Sequence, residues 1–143
     1  MPERIVVPLD KSPLSMRALE YALKNYATAD IHVIHVVDPP DPEFPPWEEP
    51  HLPEGSRERW ERWTDELFDE AQEMADDYGV ELSSSMRVGN PARQIVQYAE
   101  EHNANGIIMG SHGRTGVSRV LMGSVAERVM RQSPVTVTVV RSE

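Results

Sequence analysis

Apolar positions along the chain switch between two signatures, short β-branched runs and helical repeats. Ile5-Val6-Val7-Pro8-Leu9 is such a run, and Asp10-Lys11-Ser12-Pro13 ends it, which predicts a buried strand and a turn into a helix. Met16, Leu19, Ala22, Leu23 and Tyr26 then recur at helical spacing. Ile31 to Val37 reads as a second strand, stopped by Asp38-Pro39-Pro40. From Ser56, the positions Trp60, Trp63, Leu67, Ala71, Met74 and Tyr78 fall at steps of 3, 4, 4, 3 and 4, with charges between them. That predicts an amphipathic helix whose tryptophans belong to the core, with Gly79 as its C-cap. Val80 to Val88 is a third strand, Pro91 opens a helix carrying Ile95, Val96, Tyr98 and Ala99, and Ile107-Ile108-Met109 is a fourth strand. A helix from about Ser124 to Gln132 and a strand from Val135 to Val140 complete the series.

Strict alternation of strand and helix predicts an α/β protein, a doubly wound, Rossmann-like, five-stranded parallel sheet with helices on both faces. At 143 residues one domain, 1–143, is expected. Ligands of such sheets bind at the carboxyl ends of strands where the winding reverses. The candidate ends are Leu9-Asp10, Val36 to Asp38, Val88 to Asn90 and Met109 to Gly116, the last being the richest in glycine.

Composition narrows the chemistry. The absence of cysteine excludes disulfides, thiolate metal sites and cysteine nucleophiles. No window approaches 18 apolar residues, and Met1-Pro2-Glu3-Arg4 runs directly into strand-like sequence, so a cytoplasmic protein without a membrane partner is expected. The net charge of −10 is uneven, because residues 38–79 hold 15 acids against three arginines. Such a chain is a poor non-specific partner for nucleic acid, although its mildly basic C-terminal third suits a small anion. Twelve Arg against two Lys fits a salt-adapted host or Arg-rich codon usage equally well. Residues 38–55 contain seven of the 12 prolines and six acids, which predicts a long acidic loop. Phe44 and Trp47 in it are candidate anchors of a lid or docking segment, or parts of a solvated loop.

Gly110-Ser111-His112-Gly113-Arg114-Thr115-Gly116, followed by Gly123-Ser124 at a helix start, has the chemistry of an anion cradle. Glycines let backbone approach a ligand, and a helix N-terminus favours phosphate. Ser111, Thr115, Ser118 and Ser124 add hydroxyls, while Arg114 and Arg119 add charge. Neither a Walker A sequence nor a G-x-G-x-x-G fingerprint is present. Ser124-Val125-Ala126-Glu127 also reads as a capping box, which would give Ser124 a purely local role.

Gly110-x-x-Gly113, nine residues and Gly123-Ser124 form a pattern that resembles the ATP-binding branch of the universal stress protein family. Ile5-Val6-Val7-Pro8-Leu9-Asp10-x-Ser12, His35-Val36-Val37-Asp38 and Ser133-Pro134-Val135-Thr136-Val137 resemble its first, second and last strands. The resemblance implies strand order 3-2-1-4-5. It also implies that Pro8, Asp10 and Val36 border adenine and ribose, that Met109 and Gly110 lie beside the ribose, and that Gly113, Gly123, Ser124 and Val125 hold the phosphates. Arg114 is an added candidate, as a flexible counter-charge. ATP with Mg²⁺ or Mn²⁺ is the implied cofactor, and a homodimer through the strand at 135–140 the implied assembly, with a further regulatory protein partner unidentified.

Catalysis is hard to place. Asp10 suits a ribose hydrogen bond as well as base chemistry, and His112 is a candidate to orient water, although such a residue more commonly packs or faces solvent. His32 and His35, three apart on a strand, point to opposite faces and read as structural rather than as metal ligands. The expected function is therefore a nucleotide-dependent stress-response regulator, with slow ATP hydrolysis at most. The rival is a nucleotide-free dimeric interaction module whose glycine loop is scaffold only.

Overall fold

The structure, a computed structural model, describes residues 3–38, 56–112 and 122–141. Five strands, β1 (Arg4–Pro8), β2 (Asp30–Val37), β3 (Ser83–Val88), β4 (Gly106–Gly110) and β5 (Thr136–Val140), alternate with four helices. The helices are α1 (Pro13–Asn25), α2 (Ser56–Asp76), α3 (Pro91–Glu101) and α4 (Ser124–Gln132). All pairings are parallel and the sheet order is β3-β2-β1-β4-β5, as the resemblance implied.

Period-two alternation sorts the strand side chains into two cores. Ile5, Val7, Ile31, Val33 and Ile108 pack with Leu19, Leu23, Leu67 and Ala71 of α1 and α2. Val6, Ile34, Ile107 and Met109 pack with Ile95, Ala99, Ala126 and Val129 of α3 and α4. His32 and His35 follow the same alternation. His32 bonds Tyr98 of α3 through Nδ1 at 2.7 Å, whereas His35 lies 4.8 Å, ring to ring, from Trp63 of α2.

Helix ends follow their local chemistry. Ser12 caps α1 by accepting from the Ser15 N–H at 3.1 Å, and Asn90 caps α3 by accepting from the Arg93 N–H at 3.0 Å; each is followed by proline. At the far end of α2, Gly79 takes φ +68°, and the N–H groups of Gly79 and Val80 donate to the carbonyls of Asp76 and Ala75. This is the paired hydrogen-bond closure favoured by a left-handed residue, and Asn103 (φ 52°) repeats it after α3.

Three boundaries differ from the sequence expectation. Val80 to Leu82 precede β3 because the Gln72 side chain takes the Val80 carbonyl and the Leu82 N–H, at 2.9 and 3.0 Å. Val135 stays outside β5 because the Ser133 hydroxyl both receives its N–H and donates to its carbonyl. Side chains compete there with the sheet for backbone groups. The third difference lies at α4, whose N-cap is Gly123 rather than Ser124.

At the amino rim of the sheet, Asp30 accepts from Arg4 Nε at 2.9 Å and bonds His32 Nε2 at 3.1 Å. Burial pushes its carboxyl up, but the hydrogen bonds from His32 and Arg4 outweigh that and hold it below the ordinary 3.8. A depressed carboxyl stabilises the fold above its unfolded value, and that contribution is lost as pH falls through the lower folded value. Asp30→Asn should therefore be less stable at neutral pH and lose less stability than the parent below pH 3.8, read by denaturant melts across pH. Gly79→Ala should cost about 1 kcal/mol of unfolding free energy, and Gly79→Asn clearly less, because asparagine tolerates the left-handed region.

Candidate functional site

β1 and β4 are neighbours in the sheet, but the chain leaves β1 for α1 on one face and β4 for α4 on the other. Their carboxyl ends part there, and a cavity of about 360 Å³ opens at that rim. The ends of β1, β2 and β4 line it, with the first turns of α3 and α4 and one residue each of α1 and α2.

At the β1 end, Lys11 adopts φ 69° and reverses the chain. Ser12 N–H donates to Asp10 Oδ1 at 3.0 Å, the Asp10 N–H meets Ser15 Oγ at 3.3 Å, and Ser15 Oγ donates to the Ser12 carbonyl at 2.9 Å. This ring of bonds holds the half-buried Asp10 carboxylate on the cavity wall. The neighbouring wall is apolar and aromatic, formed by Pro8, Ile34, Val36 and Trp60, with His35 behind. His35 donates from Nδ1 to the Leu9 carbonyl at 2.7 Å, and Trp60 meets Trp63 edge-on at 5.7 Å.

The part of the lining that comes from β4 and α4 is rich in donors. Gly123 N–H donates to the Ser111 carbonyl at 2.7 Å, and Ser111 N–H donates to the Val140 carbonyl at 2.8 Å, which ties the start of α4 to the ends of β4 and β5. The first helical bond of α4 runs from Glu127 N–H to the Gly123 carbonyl, and Gly123 supplies no side-chain cap. The N–H groups of Ser124, Val125 and Ala126 therefore have no acceptor within the helix, and all three residues face the cavity. The positive end of the helix dipole is at the same place.

Of the ten residues singled out from the sequence, Pro8, Asp10, Val36, Met109, Gly110, Gly123, Ser124 and Val125 all line this one cavity. Gly113 and Arg114 lie outside the described residues, as do residues 39–55 of the expected 38–55 loop, with Phe44 and Trp47. Two assignments change in detail. Ser124 is the first helical residue and not the cap, so the expected capping box is not formed and its exposed hydroxyl is left for the cavity. The Gly123 N–H is already engaged by Ser111, so it is not a donor for phosphate.

Trp60, expected in the core, lines the cavity, and Pro91 and Ile95 were not anticipated. The missed signal was position within the crossover. A helix that follows a parallel strand begins at that strand's carboxyl rim, so its first turns overlook the crevice. The end of β3, by contrast, contributes no lining residue from Val88 to Asn90.

Fold and site together define a doubly wound α/β protein with a donor-rich crevice at the reversal of its sheet. The model of the universal stress protein family matches residues 1–141, and the chain belongs to that family. It is 38% identical to universal stress protein MJ0531 of Methanocaldococcus jannaschii over 97% of this chain and 82% of that protein. Its fold is similar to the solved MJ0577 protein of the same organism, with a TM-score of 0.74, 26% identity and coverage of 100% and 98%. It is also similar in fold to an Archaeoglobus fulgidus universal stress protein solved in complex with dAMP, with a TM-score of 0.70, 22% identity and coverage of 99% and 98%.

Two of the cavity glycines have packing roles of their own. A methyl group on Gly110 would lie 2.9 Å from Leu14 Cβ and 3.0 Å from its carbonyl carbon, so α1 crosses β4 only because residue 110 has no side chain. On Gly123 a methyl group would lie 3.0 Å from the Ser111 carbonyl oxygen. Gly110→Ala and Gly123→Ala should each lower stability of the ligand-free protein by about 1–3 kcal/mol, measured by urea unfolding.

Proposed function

We propose that this universal stress protein binds ATP in the cavity at the β1–β4 rim and acts as a nucleotide-dependent regulator of the stress response in the cytoplasm. The observation that carries the reading is the polarity of that one cavity. Its Trp60, Pro8 and Val36 end suits a flat base, the Asp10 carboxylate a ribose hydroxyl, and the uncapped turn Ser124–Ala126 a chain of phosphates. Met109 and Gly110 form the floor between these ends in this reading, and Gly113 and Arg114 are further phosphate candidates. The dAMP held by a relative of the same fold is consistent with an adenine nucleotide.

Among the described residues no group of three or more His, Asp or Glu stands together as a metal site. Mg²⁺ or Mn²⁺ would therefore be carried by the phosphate oxygens of ATP, and this ion neutralises phosphate charge when bound. The proposed role is binding, with slow hydrolysis at most. Regulation requires that ATP bind two conformations unequally. Homodimers are common in the family, and here the open edge of β5 within 135–140 is the proposed seam, presented to a regulatory protein partner as a pair. The 143 residues act as one domain in this reading.

The packing roles of Gly110 and Gly123 favour a second reading, in which the glycine motif is scaffold and the protein is a nucleotide-free dimeric interaction module. Ser124→Pro separates the two. Gly123 has φ −66° and ψ 156°, a conformation compatible with a following proline, and proline is well tolerated at the first helical position. The variant removes one N–H and one hydroxyl from the cavity wall while leaving the helix intact. Calorimetric titration with Mg-ATP, after stripping bound nucleotide, should give micromolar binding to the parent. Ser124→Pro should bind at least tenfold more weakly with an unchanged ligand-free melting temperature. Absence of heat with the parent at low and at molar salt would favour the interaction module.

A further inference from the structure

Lys11 is a strained residue beside the cavity that the nucleotide reading leaves without a task. It follows Asp10 with φ 69°, in the left-handed region that is costly for most side chains and that asparagine and glycine adopt more readily. Its ammonium group lies 5.8 Å from the centre of the Trp63 ring and 3.9 Å from Glu70 Oε1, both on α2. At exposed positions such as these, a cation–π contact and an ion pair of that length add little stability. Backbone strain with so small a return points to a positional role.

The opening turns of α2 depend on such a contact. Among the described residues, the fully buried apolar side chains of the helix, Leu67, Ala71 and Ala75, begin only at residue 67 of a helix that starts at Ser56. Before them stand Trp60 and Trp63, both half-buried. Trp60 lines the cavity and meets Trp63 edge-on, 5.7 Å between ring centres. Trp63 lies 4.8 Å from His35, whose Nδ1 donates to the Leu9 carbonyl at 2.7 Å. The turn that follows β1 therefore holds Trp63 twice, through His35 and through Lys11.

We propose that Lys11 is a positioning residue, which holds Trp63 against the β1 turn and through Trp63 sets where Trp60 stands on the cavity wall. The effect on Trp60 belongs to the ligand-free protein, and its consequence for binding rests on the nucleotide reading above. Without the cation the opening turns of α2 shift, and with them the aromatic wall that would face a flat base. The turn Ser124–Ala126 is held separately, by the Gly123–Ser111 hydrogen bond, and keeps its place.

Lys11→Asn tests this, because asparagine tolerates the left-handed turn but is too short to reach Trp63, and Lys11→Arg keeps a cation of sufficient length. ¹H–¹⁵N spectra resolve the indole N–H groups, assigned with Trp60→Phe and Trp63→Phe. In ligand-free Lys11→Asn the indole N–H of Trp60 should shift as well as that of Trp63, with the melting temperature unchanged. Lys11→Arg should return the Trp60 resonance to the parent position. Mg-ATP affinity should fall roughly threefold in Lys11→Asn, the size of one exposed cation–π contact, and recover in Lys11→Arg. Affinity for inorganic triphosphate with Mg²⁺, which has no base, should stay at the parent value. Should the Asn variant not fold, Lys11→Gly replaces it, since glycine takes the same φ without strain.

A Trp60 indole that stays in place in Lys11→Asn, or that Lys11→Arg fails to restore, would overturn the positioning role whatever the ligand. Unchanged Mg-ATP affinity, or equal losses for ATP and triphosphate, would overturn its part in binding. A parent protein that binds neither ligand would overturn the nucleotide reading, while the indole resonances still decide the role of Lys11.

Discussion

The central strand must be hydrogen-bonded on both edges and covered on both faces, and the geometry of the rest follows from that requirement. β1 pairs in parallel with β2 from Arg4–Asp30 to Pro8–Ile34 and with β4 at Ile5–Gly106 and Val6–Ile107. Ile5, Val6 and Val7 are buried on alternate faces, which is why the run is apolar without alternation. Pro8 is admissible only because it stands at the end of the strand, and Leu9 resumes the ladder with a 2.8 Å bond to the Ile34 carbonyl. Parallel neighbours on both sides force the chain to leave in opposite directions. The gap left between β1 and β4 is therefore a consequence of topology before any residue is chosen for a ligand.

The residues around that gap have two duties that the same atoms perform. Gly110 lets α1 approach the end of β4, and Gly123 lets α4 be clamped to Ser111 through a 2.7 Å hydrogen bond. That clamp sets the first turn of α4 at the rim without a side-chain cap, so its orphan N–H groups face the cavity instead of a serine or aspartate. Replacing either glycine disturbs the scaffold and the site together. A change at the exposed Ser124 touches the cavity wall with less demand on packing, which makes it the sharper probe of binding.

Much of this was legible in the sequence because its physics is local or periodic. The alternation of runs and repeats predicted the parallel sheet, and the burial pattern of Ile5, Val6 and Val7 agrees with it. The rim residues Asp10, Val36 and Met109 were foreseeable because strand ends are foreseeable. What escaped were choices made between competing hydrogen bonds. Ser124 satisfies every sequence criterion for a cap, yet Gly123 takes the position because its N–H is held by Ser111, a partner 12 residues upstream. Gln72 withholds Val80 to Leu82 from β3, and Ser133 withholds Val135 from β5, by contacts that hydropathy does not register. Trp60 belongs to the apolar stripe of α2 by spacing, and only its place in the helix's opening turns brings it to the cavity.

Backbone amide shifts resolve the site residue by residue, so a ¹H–¹⁵N titration of the stripped protein with Mg-ATP tests the account most directly. Phosphate at the uncapped turn requires the largest shifts at Ser124, Val125 and Ala126, with a second group at Asp10, Val36 and His112 and little change at the amino rim around Arg4 and Asp30. Saturating ATP that leaves the α4 amides unmoved, or that moves only residues away from the β1–β4 rim, would contradict it.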